Sequence, residues 1–569
     1  SIKTYSVVAN YKGTAVYKAS KSTGKINVSK LDTVIESYDR TYSSDSQKVY
    51  KISLKDVSGN PLANKTLTYT INNADYSKTT DENGQIKLDL SANNSFEIIT
   101  KYAGDDKYRE SSNTNKITIL NQSGVIFVDE NLPNSEIQDI LNSAPDKSDV
   151  EFLGDYYFGI ALTINKQLNI YSKEKTILNA IEYNPTLTIK SDNVNVTNFA
   201  IYGNSSDAVD INGAKNVILN NNFIVNHLDE SKTEDYVNGT VNMPGYGVSI
   251  SNSADVKLLK NTISLFESGI FAEHSKQLTI DNNVIRENNY GIKYGFGVAN
   301  TKIVNNEILE QTGLYIMTVP EGPSGYGIFL NNSAVNVTIN RNHIAWNHLG
   351  ISLDANFSTG IVVTQNTITD NVLEGMRFNA GYDLAENAVT PIVTDNAIYR
   401  NARGPSMMIL GEMSANPEGI YGPGQWNESL RLKLDPNWYG TNNLITWDYD
   451  TGVVGYGTMC PRISTTAIKF DNVTCNSPGN YSVIFYKNGE VASNLAEFEL
   501  YATLNRESAK EIEVKFNVVE GVGSFAFAAN SFKDSNNVIE ISVGSLIDST
   551  YRTFKITSTY NVPDSEIPI

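Results

Sequence analysis

The sequence predicts an all-β chain, a right-handed parallel β-helix flanked by immunoglobulin-like β-sandwich domains. Three observations predict it. Residues 5–28 repeat as residues 96–119, an Asn-x-Ile signature recurs from Asn222 to Ile398, and stretches with an apolar period of 3.6 are few.

The first repeat sets the sandwich modules. YSVVANYKGTAVYKASKSTGKINV aligns without a gap on FEIITKYAGDDKYRESSNTNKITI at a shift of 91, matching Tyr11 with Tyr102, Gly13 with Gly104, Tyr17 with Tyr108 and Ile26 with Ile117. A period of that length, built from alternating strands and Gly/Asn/Asp turns, has the size of an immunoglobulin-type sandwich. Residues 1–28 then read as the C-terminal part of a truncated module, and residues 29–120 as a complete one. The acidic turns Ser58-Gly59-Asn60-Pro61 and Asp81-Glu82-Asn83-Gly84 read as solvated β-turns that need no metal.

The second repeat sets the solenoid. Asn222-Phe-Ile, Asn261-Thr-Ile, Asn283-Val-Ile, Asn306-Glu-Ile, Asn342-His-Ile, Asn366-Thr-Ile and Asn396-Ala-Ile follow at spacings of 39, 22, 23, 36, 24 and 30. The shortest spacings fit one coil, and the longer ones are a coil plus an insertion. Each of the first six signatures leads to Gly-(Ile/Val/Met), at Gly247, Gly269, Gly291, Gly327, Gly350 and Gly375. No coil can bury its own apolar face, so stacking has to build a continuous Ile/Val column. The asparagines are expected at bends, in left-handed backbone, bonded to the asparagine one rung away. Residues 121–444 read as the β-helix, with a capping helix at Asn134–Asn142 that carries Ile137, Ile140 and Leu141 on one face. Residues 445–569 read as a C-terminal β-sandwich.

Composition excludes several functions. A net charge of −18 without a basic stripe argues against nucleic acid, and no apolar run is long enough for a membrane span. Cys460 and Cys475 are a disulfide candidate, and thirteen Asn-x-Ser/Thr sequons are compatible with surface glycosylation.

The stretch Val57–Gly104, with GNPLANKTLTYTINN and TTDENGQ and running into YAGDD, resembles the immunoglobulin-like repeats of adhesin-like surface proteins of methanogenic archaea. Residues 137–180 resemble the entry to their β-helix domains, and Asn-Trp-Tyr-Gly at 437–440 resembles the close. The resemblance implies an exported protein on the cell surface or cell wall that attaches to other cells or surface glycans, with the β-helix as the binding unit and sandwiches as spacers. The coils also resemble β-helix polysaccharide lyases, epimerases and hydrolases. A purely structural stalk is the third reading.

Chemistry is expected on the outward column after each glycine: Ser249, Phe271, Lys293, Phe329, Ser352 and Arg377. Two residues on, it holds only the carboxylates Glu273 and Asp354, three rungs or about 14 Å apart, too far for paired-carboxylate hydrolysis. Asp354 with Arg377 is the one suggestive acid/base pair, and a structural ion pair is the plainer reading. The four histidines lack metal-ligand spacing, so no metal or cofactor is expected. Aromatic rings beside polar groups suit sugars, which makes Phe271, Lys293, Tyr294, Phe329, Tyr236, Tyr315, Tyr326 and Trp426 ligand-binding candidates. The pattern therefore favours binding over catalysis.

Overall fold

The computed structural model describes residues 3–181, 183–227, 244–311, 325–330, 333–354, 358–371, 374–380, 391–401, 407–411, 436–438, 440, 458–459, 468–544 and 556–568. The chain is all-β and divides into two compact units: Ser1–Ile140 with Ser148–Gly154, and Leu141–Lys147 with Asp155–Ile569.

In the first unit, Thr4–Tyr11 pairs antiparallel with Ser20–Asn27, placing Tyr11 opposite Ser20. The hairpin Phe96–Tyr102/Ser111–Leu120 places Tyr102 opposite Ser111, the same register shifted by the repeat. Both hairpins turn through a left-handed glycine, Gly13 (φ 79°) and Gly104 (φ 77°). Their apolar faces differ in environment. Phe96, Ile98, Tyr102 and Ile117 are buried, whereas Tyr5, Val7, Tyr11 and Ile26 are exposed.

Residues 33–120 form two sheets. One orders Arg40–Ser43, Ser111–Leu120, Phe96–Tyr102, Thr66–Ile71 and Ala74–Thr79, and the other contains Thr33–Glu36, Lys48–Asp56 and Gln85–Leu90. Strict alternation along Phe96–Tyr102 sends every second side chain into a core shared with Tyr50, Ile52, Leu54, Leu67 and Ile86. At the acidic turns Asp56 accepts the N–H groups of Ser58 and Asn60, and Asp81 those of Asn83 and Gln85. These carboxylates close turns in their own backbone. The short helix forms at Asn134–Ser143 with Ile137 and Leu141 buried.

The second unit is a parallel β-helix followed by a C-terminal antiparallel module. Each coil gives one strand to each of three parallel sheets. The first sheet runs from Leu168–Ser172 to Ile392–Thr394, the second from Tyr156–Ile160 to Ala397–Tyr399, and the third from Leu162–Ile164 to Met407–Gly411. The expected apolar column is present: Val196, Leu219, Leu258, Ile280, Ile303, Ile339, Val363 and Val393 are in register on successive rungs and buried.

The signature asparagines form the expected ladder. Nδ2 of Asn261, Asn283, Asn306, Asn342 and Asn366 donates to Oδ1 of the next rung at 2.9–3.0 Å, and Asn437 extends the series beyond Asn396. The expectation of left-handed backbone at these asparagines is corrected by one position. The left-handed residue is the one before, as at Asn282 (φ 59°), Asn305 (φ 56°) and Gln365 (φ 56°), which turns the ladder amide inward. A second ladder of Asn288, Gln311, Asn347, Asn371 and Asn401 stands at the next bend.

The glycine column has a steric cause. A Cβ on Gly247, Gly291 or Gly327 would lie 2.5 Å from the carbonyl oxygen of the glycine on the next rung. Only glycine lets successive backbones approach so closely.

Among the described residues, nine strands of the C-terminal module join through the strand Asn480–Lys487, which pairs on both of its halves. Its first half pairs with Thr474–Ser477 and Val522–Ala526, its second with Lys469–Phe470 and Glu490–Val491. This module closes the end of the β-helix. Trp438, on the last rung beside Ala397, is fully buried, stacks on Phe498 at 4.4 Å and meets Phe485 edge-on. Lys487 bonds both oxygens of Asp395 at the same junction.

Candidate functional site

Parallel pairing in the third sheet fixes the outward column. Asp210, Ser249, Phe271, Lys293, Phe329, Ser352 and Arg377 follow one another in register, as the Gly-(Ile/Val/Met)-x reading places them from Ser249 onward. Phe271, Lys293 and Phe329 are half-buried on this face.

A second column stands at the entry to each strand. Tyr246, Ser268, Tyr290 and Tyr326 are in register there. Tyr246 stacks on Phe271 with ring centres 4.6 Å apart. Tyr290 and Tyr326 stack nearly parallel at 5.4 Å, and both tilt against Phe329. Five aromatic rings thus cover four rungs, a strip of about 14 Å at the inter-strand spacing. Lys293 lies among them, its Nζ 4.3 Å from the centre of the Tyr290 ring and 2.8 Å from a Glu267 oxygen.

Carboxylates gather at the Tyr246 end. Asp207 accepts the Tyr246 N–H at 2.8 Å. Burial pushes its carboxyl up to about 6, against the bond from Tyr246, and the charges of Asp210 and Glu267 add to the rise. Burial also raises the Asp210 carboxyl, with Lys190 opposing. The Tyr246 hydroxyl is pushed up to about 12 by burial first, then by Glu267, Asp207 and Glu273.

The sign of the Asp207 effect is fixed by the direction of its shift. Below about pH 4 the carboxyl is protonated in folded and unfolded chains alike, so it costs nothing. As pH rises towards and through 6 the unfolded chain releases the proton more readily, and the folded state loses stability. Asp207→Asn keeps an oxygen for the Tyr246 N–H and removes this loss. Its unfolding free energy is expected to match the parent at pH 4 and to exceed it at pH 8 by roughly 1–2 kcal/mol after discounting for solvent contact, seen as a higher melting temperature at pH 8 alone. Paired thermal melts at the two pH values check this. An equal difference at both would refute it.

Of the predicted site residues, the structure brings together Phe271, Lys293, Phe329 and Tyr326. Tyr294 is a correction. It is fully buried inside the coil, its hydroxyl 3.3 Å from Thr301 Oγ1, because neighbours along a strand point to opposite faces and Lys293 takes the outward one. Tyr236, Tyr315, Trp426 and Cys460 lie outside the described residues, while the Cys475 thiol bonds Ser477 O at 3.2 Å. Of Asp354 and Arg377 only the strand positions are described. Asp354 is opposite Asn379 and Arg377 opposite Ser352, so the two are diagonal rather than directly paired.

The inserted sequences 228–243 and 312–324 also lie outside the described residues. The strands around them show that each leaves the second sheet and returns to the third, at Tyr246–Ser251 and Tyr326–Leu330. Residues 381–390 leave the third sheet after Glu374–Ala380. Among the described residues, no group of three or more His, Cys, Asp or Glu side chains is placed to hold a metal ion, and no helix is long and apolar enough to cross a membrane.

Sequence reasoning missed Tyr246, Tyr290, Glu267 and Asp207. A signal for the two tyrosines exists: the residue before the glycine is Tyr at 246, 290 and 326.

A family model described as a right-handed beta helix region matches residues 179–321. No curated protein matches the chain. Among solved structures, the chain is similar to the family 28 exopolygalacturonase of Yersinia enterocolitica (9% identity, 68% of this chain and 88% of that one, TM-score 0.31). It is also similar to a polygalacturonase from Erwinia carotovora ssp. carotovora (15%, 51% and 85%, TM-score 0.31). A third is the Dettilon tailspike protein (12%, 78% and 92%, TM-score 0.33).

Proposed function

We propose that the chain is an adhesin-like, cell-surface glycan-binding protein whose ligand lies along the outward face of the third sheet. The observation that carries this reading is the pair of aromatic groups, Tyr246 with Phe271 and Tyr290 with Tyr326 and Phe329, held on successive rungs of a rigid scaffold. Sugar rings offer C–H faces to such aromatics and hydroxyls to the carboxylates beside them. Fixed strands hold the rings in place before a ligand arrives, which lowers the ordering cost of binding.

Calorimetric titration with soluble oligosaccharides tests it. The Phe271→Ala/Phe329→Ala double variant is expected to bind at least about ten-fold more weakly while its circular dichroism is unchanged. Unchanged affinity in the variant, or no binding by the parent chain to any glycan, would overturn the proposal.

One observation favours a second reading, polysaccharide cleavage. A carboxyl that keeps its proton up to about pH 6, beside Asp210 and Glu267, suits a general acid. Product release that vanishes in Asp207→Asn would support this reading, and binding without turnover would exclude it.

A further inference from the structure

The aromatic strip is not electrically neutral. Among the described side chains Asp207, Asp210, Glu267 and Glu273 accompany it, against Lys293 and Lys190. Lys293 is committed to Glu267 at 2.8 Å and to the face of Tyr290, which leaves an internally balanced pair in the middle of the strip. Lys190 is exposed and acts on Asp210. Among the described side chains, Asp207 and Glu273 have no basic partner where Tyr246 stacks on Phe271.

We propose that this face takes glycans that carry no anionic groups, neutral or amine-bearing chains, and rejects polyuronates. The inference rests on the glycan-binding reading and names the substrate class for it. A uronate polymer would bring a carboxylate on every ring into a half-desolvated surface that already crowds like charges, where repulsion is weakly screened. A hydroxyl or ammonium in the same place donates to those carboxylates instead.

The test uses the whole chain and four sets of oligosaccharides of matched length: neutral glucan, glucosamine, galacturonate and mannuronate. Titrations are run at low ionic strength and at about 0.15 M salt. The expected result is that the neutral or the glucosamine oligomers bind at least about ten-fold more tightly than both uronates at low salt, and that salt narrows the gap. In the Asp207→Asn/Glu273→Gln double variant the gap should also narrow. Uronates binding as tightly as the neutral oligomers would overturn the proposal, and so would a gap that neither salt nor the double variant moves. If no oligomer of any class binds the folded chain, the glycan-binding reading itself fails, an outcome distinct from a reversed preference.

Discussion

Replacing Asn306 with alanine is expected to cost about 4 kcal/mol of unfolding free energy, read as a fall in the urea midpoint with little change in slope. The Asn306 amide donates to Ile280 O, Val304 O and Asn342 Oδ1, each at 2.9 Å. Its Oδ1 accepts the backbone N–H of Asn283 at 2.9 Å and the Asn283 amide at 3.0 Å. With Asn306 only 1% exposed, water does not replace these partners, and alanine removes five hydrogen bonds at once and takes away the acceptor of the buried Asn283 N–H. Asn305 is the control. It is the left-handed residue beside the ladder and its side chain is exposed, bonding Asp281 at the surface, so Asn305→Ala should cost only about 1 kcal/mol. Equal costs at the two positions would show that the ladder is not what holds the coils.

Trp438→Ala is expected to be similarly damaging, about 3–5 kcal/mol, and to divide one thermal transition into two. Trp438 belongs to the last coil by its pairing with Ala397, yet its ring sits in the core of the C-terminal module with Phe485 and Phe498. Removing it opens a cavity where the two cores meet, beside Tyr399, whose ring also packs on Phe498. Its indole N–H has no hydrogen-bond partner among the described residues. Trp438→Phe keeps the stacking on Phe498 and removes that unpaired donor, so it should lose less than about 1.5 kcal/mol. Differential scanning calorimetry of both variants distinguishes a shared core from two modules that merely follow each other in sequence.

The coils were legible because their period is enforced by sterics and hydrogen bonding together. A signature Asn and a packing Gly in each coil leave a trace that chance does not make. The second ladder was equally present in the sequence, five residues after the first at Asn288, Gln311, Asn347, Asn371 and Asn401, but Gln311 and the lack of a fixed neighbour hid it. The outward column followed from alternation, and Tyr294 was misplaced where alternation was not applied to its neighbour Lys293. Two features could not be read from spacing. The raised Asp207 carboxyl arises from burial and from Glu267 on a later coil, which sequence separation does not reveal. The role of Trp438 depends on which core receives its ring, and residues from 468 to 562 decide that.

The amide ladder also constrains how such a chain changes length over evolutionary time. Every ladder asparagine hands its donor to the next coil and takes one from the coil before, so the column has a single direction and no spare partner in its middle. A partial coil would break that handover, whereas a duplicated coil carries its own asparagine and fits between two others. Growth or loss is therefore quantised in whole turns. No rung of either ladder falls within the inserted sequences 228–243 and 312–324, so recognition can diversify there while the scaffold keeps its count.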